Sequence, residues 1–181
     1  MKVLICTPLY PPDIEPCALY TQELARRLAE THEVTVLTYG LLPEPTERVQ
    51  IIGVNKEYVL PVRLARYAQK LFTLSRGADA IIVENGPSVE FPVLLVALFF
   101  GMRSIFHESD VRAQTVRERN PVHTFVHTLV RERSSAHLFG KLPERPEIMP
   151  FEEPPTSLQA VYESEWTTHL AEVNGLLKTY A

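Results

Sequence analysis

The hydrophobic period changes twice within the first forty residues. Val3 to Cys6 is an unbroken apolar run after Lys2, too short for a helix and rich in aliphatic residues, which predicts a buried strand. Pro8, Pro11, Pro12 and Pro16 then mark a loop. From Cys17 to Glu30 the pattern is that of an amphipathic helix. Cys17, Tyr20, Leu24, Ala25 and Leu28 fall on one face, and Gln22, Glu23, Arg26, Arg27 and Glu30 on the other. Pro16 suits the first turn, where a missing amide hydrogen costs little, and Asp13 or Glu15 would sit favourably beside the positive helix end. Val34 to Thr38 returns to a strand pattern that ends near Gly40. A right-handed crossover between the two strands makes them parallel neighbours.

The alternation continues. Val49 to Val54 reads as a short strand weakened by Gly53. Pro61 opens a second amphipathic helix with Leu64, Tyr67, Ala68, Leu71 and Leu74 on its apolar face and Gly77 at its end. Ala78 to Val83 is a further strand, followed by a turn from Glu84 to Ser88. Val89 to Gly101 is apolar nearly all round, as in a deeply buried helix or one whose outer face meets another surface. Arg103 to Phe106 predicts a strand leading into His107-Glu108-Ser109-Asp110. Helical segments follow at Val111 to Glu118 and Val122 to Arg133, then short strands at Ala136 to Phe139 and Glu147 to Met149. Beyond the prolines of 150–155, Leu158 to Tyr180 reads as a long helix with Val161, Trp166, Leu170, Val173, Leu176 and Leu177 on one face. The expected fold is α/β: a Rossmann-like, mainly parallel sheet with helices on both faces, plus a long C-terminal helix. The expected organisation is one domain over residues 1–150, with 151–181 a proline linker and a helix that packs back on it.

Composition narrows the function classes. A chain of 181 residues with 45% apolar content has room for one well-buried α/β domain. With 18 basic and 22 acidic residues the net charge is only -4, so no global field recommends nucleic acid as a partner. Cys6 and Cys17 make no disulfide framework and read as buried reduced thiols of a cytoplasmic protein. No Gly-x-Gly-x-x-Gly, Walker, Gly-x-Ser-x-Gly or Cys-x-x-Cys motif occurs.

In open parallel sheets ligands bind beyond the carboxyl ends of the strands, at a switch in strand order. The loops at that place are Pro8 to Pro16, Glu84 to Ser88 and His107 to Asp110. His107 is the candidate catalytic residue, able to hydrogen-bond a substrate group or steady developing negative charge. Asp13, Glu15, Glu84, Asn85, Glu108 and Asp110 are the candidate substrate-binding residues. The alternative at the third loop is structural, with Ser109 or Asp110 capping a helix that begins near Val111. His123 and His127, four apart, share a helical face, but no third ligand at a recognisable spacing completes a zinc set, so no metal is expected.

The stretch MKVLICTPLYPPDI, the helix containing LARRLAE, then HEVTVLT resemble the opening of family 4 glycosyltransferases, GT-B enzymes with two facing Rossmann-like domains. AIIVENGPSVEFPVLLVALFFG followed by RSIFHESD is similar to that family's strand, loop, apolar helix and histidine loop. The resemblance covers roughly Met1 to Pro150, the acceptor-side domain. It implies half of a retaining, nucleotide-sugar-dependent glycosyl transfer, with no cofactor and with the donor sugar held by a separate donor-domain partner. Where the family reads PPxxGG, this chain has Glu15-Pro16, which replaces phosphate-binding amides with a carboxylate and an imide. Glu144 and Glu152 match the spacing of the family's paired glutamates but lie among prolines. The resemblance further implies a partner or second copy at the strand-end face. It also implies peripheral contact with anionic membranes through the basic amphipathic segment Arg112 to Arg133, for which an ordinary surface helix is the plainer reading. The rival function is a degenerate, non-catalytic domain that binds a glycan, a lipid-linked sugar or a protein.

Overall fold

The computed structural model describes residues 1–100, 102–109, 115, 119–138, 143 and 156–180. In chain order the elements are β1 (Lys2–Cys6), α1 (Pro16–Leu28), β2 (Glu33–Tyr39), β3 (Val49–Val54), α2 (Leu60–Ser75), β4 (Ala80–Glu84), α3 (Pro87–Phe100), β5 (Ile105–His107), α4 (Pro121–Arg133), β6 (Ala136–Leu138) and α5 (Thr156–Tyr180). The strands form one sheet in the order β3-β2-β1-β4-β5-β6, and every neighbouring pair is parallel. This is the doubly wound order, with its switch point between β1 and β4.

Strands covered on both faces carry unbroken apolar runs, which is why β1 and β4 are aliphatic at successive positions rather than alternate ones. Val3, Ile5, Val36, Ile82 and Ile105 face α1 and α5, where Leu24, Leu28, Trp166, Val173 and Leu177 close the first core layer. Leu4, Cys6, Leu37, Val83 and Phe106 face the other way, against Tyr67 and Leu71 of α2, Val89 and Val93 of α3, and Val126 and Val130 of α4. Each fully buried Leu or Ile stabilises the fold by about 1.5–3 kcal/mol. Cys6 and Cys17 are both buried and free of disulfide, and burial pushes the Cys6 thiol well above its ordinary range, which makes it an inert core residue.

Helix starts follow from local chemistry. At α4 the Asn120 side chain accepts from the amides of Val122 and His123 at 3.0 and 3.4 Å, and Pro121 occupies the first turn. At α1 the Glu15 carbonyl takes the amides of Ala18 and Leu19 at 2.9 and 3.2 Å, while its side chain makes no capping bond. The third loop differs from expectation: β5 runs Ile105–His107 rather than from Arg103, because pairing with β4 begins at Ile82 and Ile105 and ends at Glu84 and His107. His107 is therefore a sheet residue. The helix expected at 111–118, except for Thr115, and the strand expected at 147–149 lie outside the described residues, as do Glu144 and Glu152.

Gly53 sits in the edge strand β3, and a Cβ there would overlap the Gly40 carbonyl oxygen, whereas a Cβ at Gly175 in α5 meets nothing. We expect Gly53→Ala to lower stability by about 1–3 kcal/mol through forced movement of the Gly40 backbone, and Gly175→Ala to raise it by about 0.5–1 kcal/mol. Urea unfolding of the two variants checks both signs; a Gly53→Ala midpoint equal to that of the unmodified chain would contradict the close approach.

Candidate functional site

The site is built at the carboxyl ends of β4 and β5, beside the switch point. Alternation along the strands puts Glu84 on the same face as Ile82, and His107 on the same face as Ile105. The last rung between the strands pairs these two residues, so both side chains enter the layer under α1 and α5. The Asn85 amide extends the ladder by donating to the His107 carbonyl at 3.0 Å. On the neighbouring loop, Gly86 has φ 156°, and a Cβ there would come within 3.0 Å of Pro8 Cγ, so the loops after β1 and β4 meet without room for a side chain.

Glu84 is completely buried. The Thr21 hydroxyl, from α1, lies 2.7 and 2.8 Å from its two oxygens and 2.8 Å from the Cys17 carbonyl. One hydroxyl proton cannot serve both acceptors, so Thr21 donates either to the carboxylate or back along its helix. Burial, then the nearby Glu84 and Glu172 carboxylates, hold the Tyr20 phenol well above its usual range. Tyr20 thus stays protonated and shares a proton with His169 Nε2 across 2.6 Å.

His107 is 1% exposed, and neither ring nitrogen has a hydrogen-bond partner among the described residues. Burial, followed by the neighbouring His169, lowers its pKa to about 3. At neutral pH it is an uncharged imidazole with one donor and one acceptor, suited to holding a hydroxyl and weak as a general base. Its ring centroid lies 5.1 Å from Tyr20 and 6.1 Å from His169. Over this group α5 lays Trp166, stacked on Tyr20 at 5.5 Å and 13°. Arg27 covers the indole at 5.0 Å and makes two 2.8 Å bonds to the Glu163 carboxylate, while a 2.6 Å bond joins it to Glu23. Two hollows at the other end of the sheet, about 200 and 390 Å³, lie by Lys2 and Glu33 and by Asp79 and Arg103, away from this chemistry.

Of the candidate residues, the structure brings His107 and Glu84 together, with Asn85 joined through its backbone. Asp13 is drawn to Lys56 in the loop after β3. Glu15 stays at the N-cap of α1. Glu108, one residue past His107, turns to the opposite face, where its carboxylate lies 3.5 Å from His127 Nε2. Asp110 lies outside the described residues. His127 is buried, its Nδ1 3.0 Å from Glu90, while His123 edges onto Phe91. Among the described residues no group of three His, Cys, Asp or Glu is arranged to hold a metal ion. Tyr20, Thr21, Trp166 and His169 belong to the site although the sequence reading did not include them. The available signal was a polar Thr21 on the apolar stripe of α1, four residues after Cys17, and His169 three residues after Trp166.

No sequence family and no characterised protein of similar sequence matches the chain. Among solved structures, one named as a UDP-N-acetylglucosamine 2-epimerase from Listeria monocytogenes aligns over 91% of this chain and 41% of its own, at 14% identity and a TM-score of 0.51. The likeness is one of fold. The chain is a Rossmann-like α/β domain, and it spans about two fifths of the length of that structure. A UGT transferase from Siraitia grosvenorii in complex with UDP aligns over 60% of this chain and 28% of its own, at 17% identity and a TM-score of 0.40.

The depressed His107 pKa has a definite sign. The unfolded chain binds a proton at this residue below about pH 6.5, whereas the folded chain resists until about pH 3, so stability falls on acidification between those values. From pH 7 to pH 5 the loss from His107 is about 2 kcal/mol. His107→Gln is expected to remove that part of the pH dependence, read from urea unfolding at the two pH values; an unchanged dependence would place the titration elsewhere.

Proposed function

We propose that this chain is the acceptor-side half of a retaining, nucleotide-sugar-dependent glycosyl transfer, with the donor-binding half supplied by a separate domain. The observation that carries the reading is His107: a neutral, buried imidazole with both nitrogens unpartnered, in register with Glu84 beside the switch point of a glycosyltransferase-like fold. Such a group suits an acceptor hydroxyl, which it can orient while the bond from the anomeric carbon to the leaving diphosphate breaks, the bond to the acceptor oxygen forms and the hydroxyl proton passes to the departing diphosphate.

The start of α1 argues for a donor site elsewhere. Pro16 offers no amide hydrogen and Glu15 brings negative charge to the place where a diphosphate would rest. A donor domain has a surface to meet at the carboxyl ends of β1, β2 and β3, where Ile14, Leu41, Leu42 and Val59 are exposed. The exposed Val122 and Phe125 of α4, with Arg131 and Arg133 exposed at the helix end, support peripheral contact with an anionic membrane within the Arg112–Arg133 segment. No described helix is long and apolar enough to cross a membrane.

The second reading is a non-catalytic domain that binds a glycan or a protein. It is favoured by Glu15-Pro16 and by the enclosure of His107 beneath α5.

Calorimetry of the purified chain with UDP-N-acetylglucosamine is expected to show no binding tighter than about 1 mM, while methyl pyranosides shift the His107 imidazole signals in a ¹³C-histidine NMR titration. Tight nucleotide-sugar binding by the chain alone overturns the proposal. Silence at His107 with every glycoside would favour the non-catalytic reading.

A further inference from the structure

We propose that the Trp166 indole occupies a pyranose-ring site built on Tyr20 and His107, so that α5 is an occupant that withdraws when a neutral glycoside binds. The inference rests on the acceptor-side reading and specifies how that site takes its ligand.

The walls of the site stand on rigid elements: Tyr20 on α1, and Glu84 and His107 at adjoining strand ends. Tyr20 presents a flat aromatic face and a protonated hydroxyl at its rim. Trp166 lies nearly parallel to that face, as the C–H side of a pyranose does on an aromatic platform, and His169 meets the hydroxyl as a ring substituent would. The occupant copies the shape of a sugar ring but not its polarity. Both nitrogens of His107 and the Nε1 of Trp166 remain unpartnered in the interior, each an unmet bond of a kind that folded proteins seldom tolerate. A ring bearing hydroxyls offers donors and acceptors for both His107 nitrogens, whereas an indole has a single N–H and no acceptor.

The grip of α5 is uneven along its length. Val173 and Leu177 are buried in the sheet layer and anchor the second half. In the first half, residues 157–161 and 163–165 are exposed, and the attachments to α1 are Trp166, His169, the partly buried Tyr162 and the pair between Arg27 and the half-exposed Glu163. A half-held segment over an underbonded polar site lowers apparent ligand affinity by the fraction of time it is closed.

The test compares binding of methyl β-glucopyranoside to the unmodified chain, Glu163→Gln and Trp166→Ala, followed at the His107 imidazole by NMR. Relative to the unmodified chain, we expect about threefold tighter binding for Glu163→Gln and about tenfold or more for Trp166→Ala, with indole competing for the vacated place in the latter. Glycoside affinity that stays the same in both variants, even if Trp166→Ala takes up indole, overturns the inference and leaves the acceptor-side reading standing. Glycoside binding in none of the three proteins overturns both. If Trp166→Ala fails to fold, Glu163→Gln decides alone, since its side chain lies at the surface, and an unchanged affinity counts against the inference.

Discussion

The last rung between β4 and β5 sets the problem that the rest of the first layer answers. Pairing Glu84 with His107 at the end of a parallel ladder commits two ionisable side chains to the same buried face. An ion of either sign placed there without partners would be expelled or neutralised. The chain responds differently on the two strands. Glu84 receives a hydroxyl from α1, whereas His107 keeps no partner and gives up its charge instead. Tyr20 and His169 then join the helices above this rung by a short hydrogen bond.

The opposite layer also buries ionisable groups, but His127 there stands 3.0 Å from Glu90 and 3.5 Å from Glu108. Tyr67 and Leu71 of α2 and the side chains of α3 facing the sheet pack against aliphatic strand positions. The Tyr67 hydroxyl donates to the Leu37 carbonyl at 3.0 Å, and Tyr39 stacks on Tyr67 with ring centroids 4.6 Å apart. On the α1 side, by contrast, neither His107 nitrogen has a partner among the described residues. Such division between a conventional core face and an underbonded one is how functional sites are accommodated in otherwise consistent folds.

Much of the architecture was legible because strand and helix periods differ and because prolines and asparagines punctuate them. The parallel sheet, the helices on both faces and the buried side of α1 all follow from that pattern. His107 was legible as chemistry but not as a buried residue, since burial depends on the register of β5 against β4, which no local pattern encodes. Glu108 read as a substrate-binding residue beside His107, yet the alternation of the strand carries one residue past its end and turns Glu108 to the opposite face. The pairing of His169 with Tyr20 was beyond reach for another reason. Tyr20 lies 149 positions earlier, and only the packing of α5 against α1 brings the two together.

The loop that floors the site is coupled to the far layer through one carboxylate. Glu90 Oε1 takes the Gly86 amide at 3.1 Å and stands 3.0 Å from His127 of α4, while Gly86 itself abuts Pro8. A displacement of α4 therefore cannot leave Gly86 undisturbed unless one of those two bonds lengthens. The two sides of the sheet are geared together at this point, and the outermost helix of one layer has a lever on the turn that borders the other.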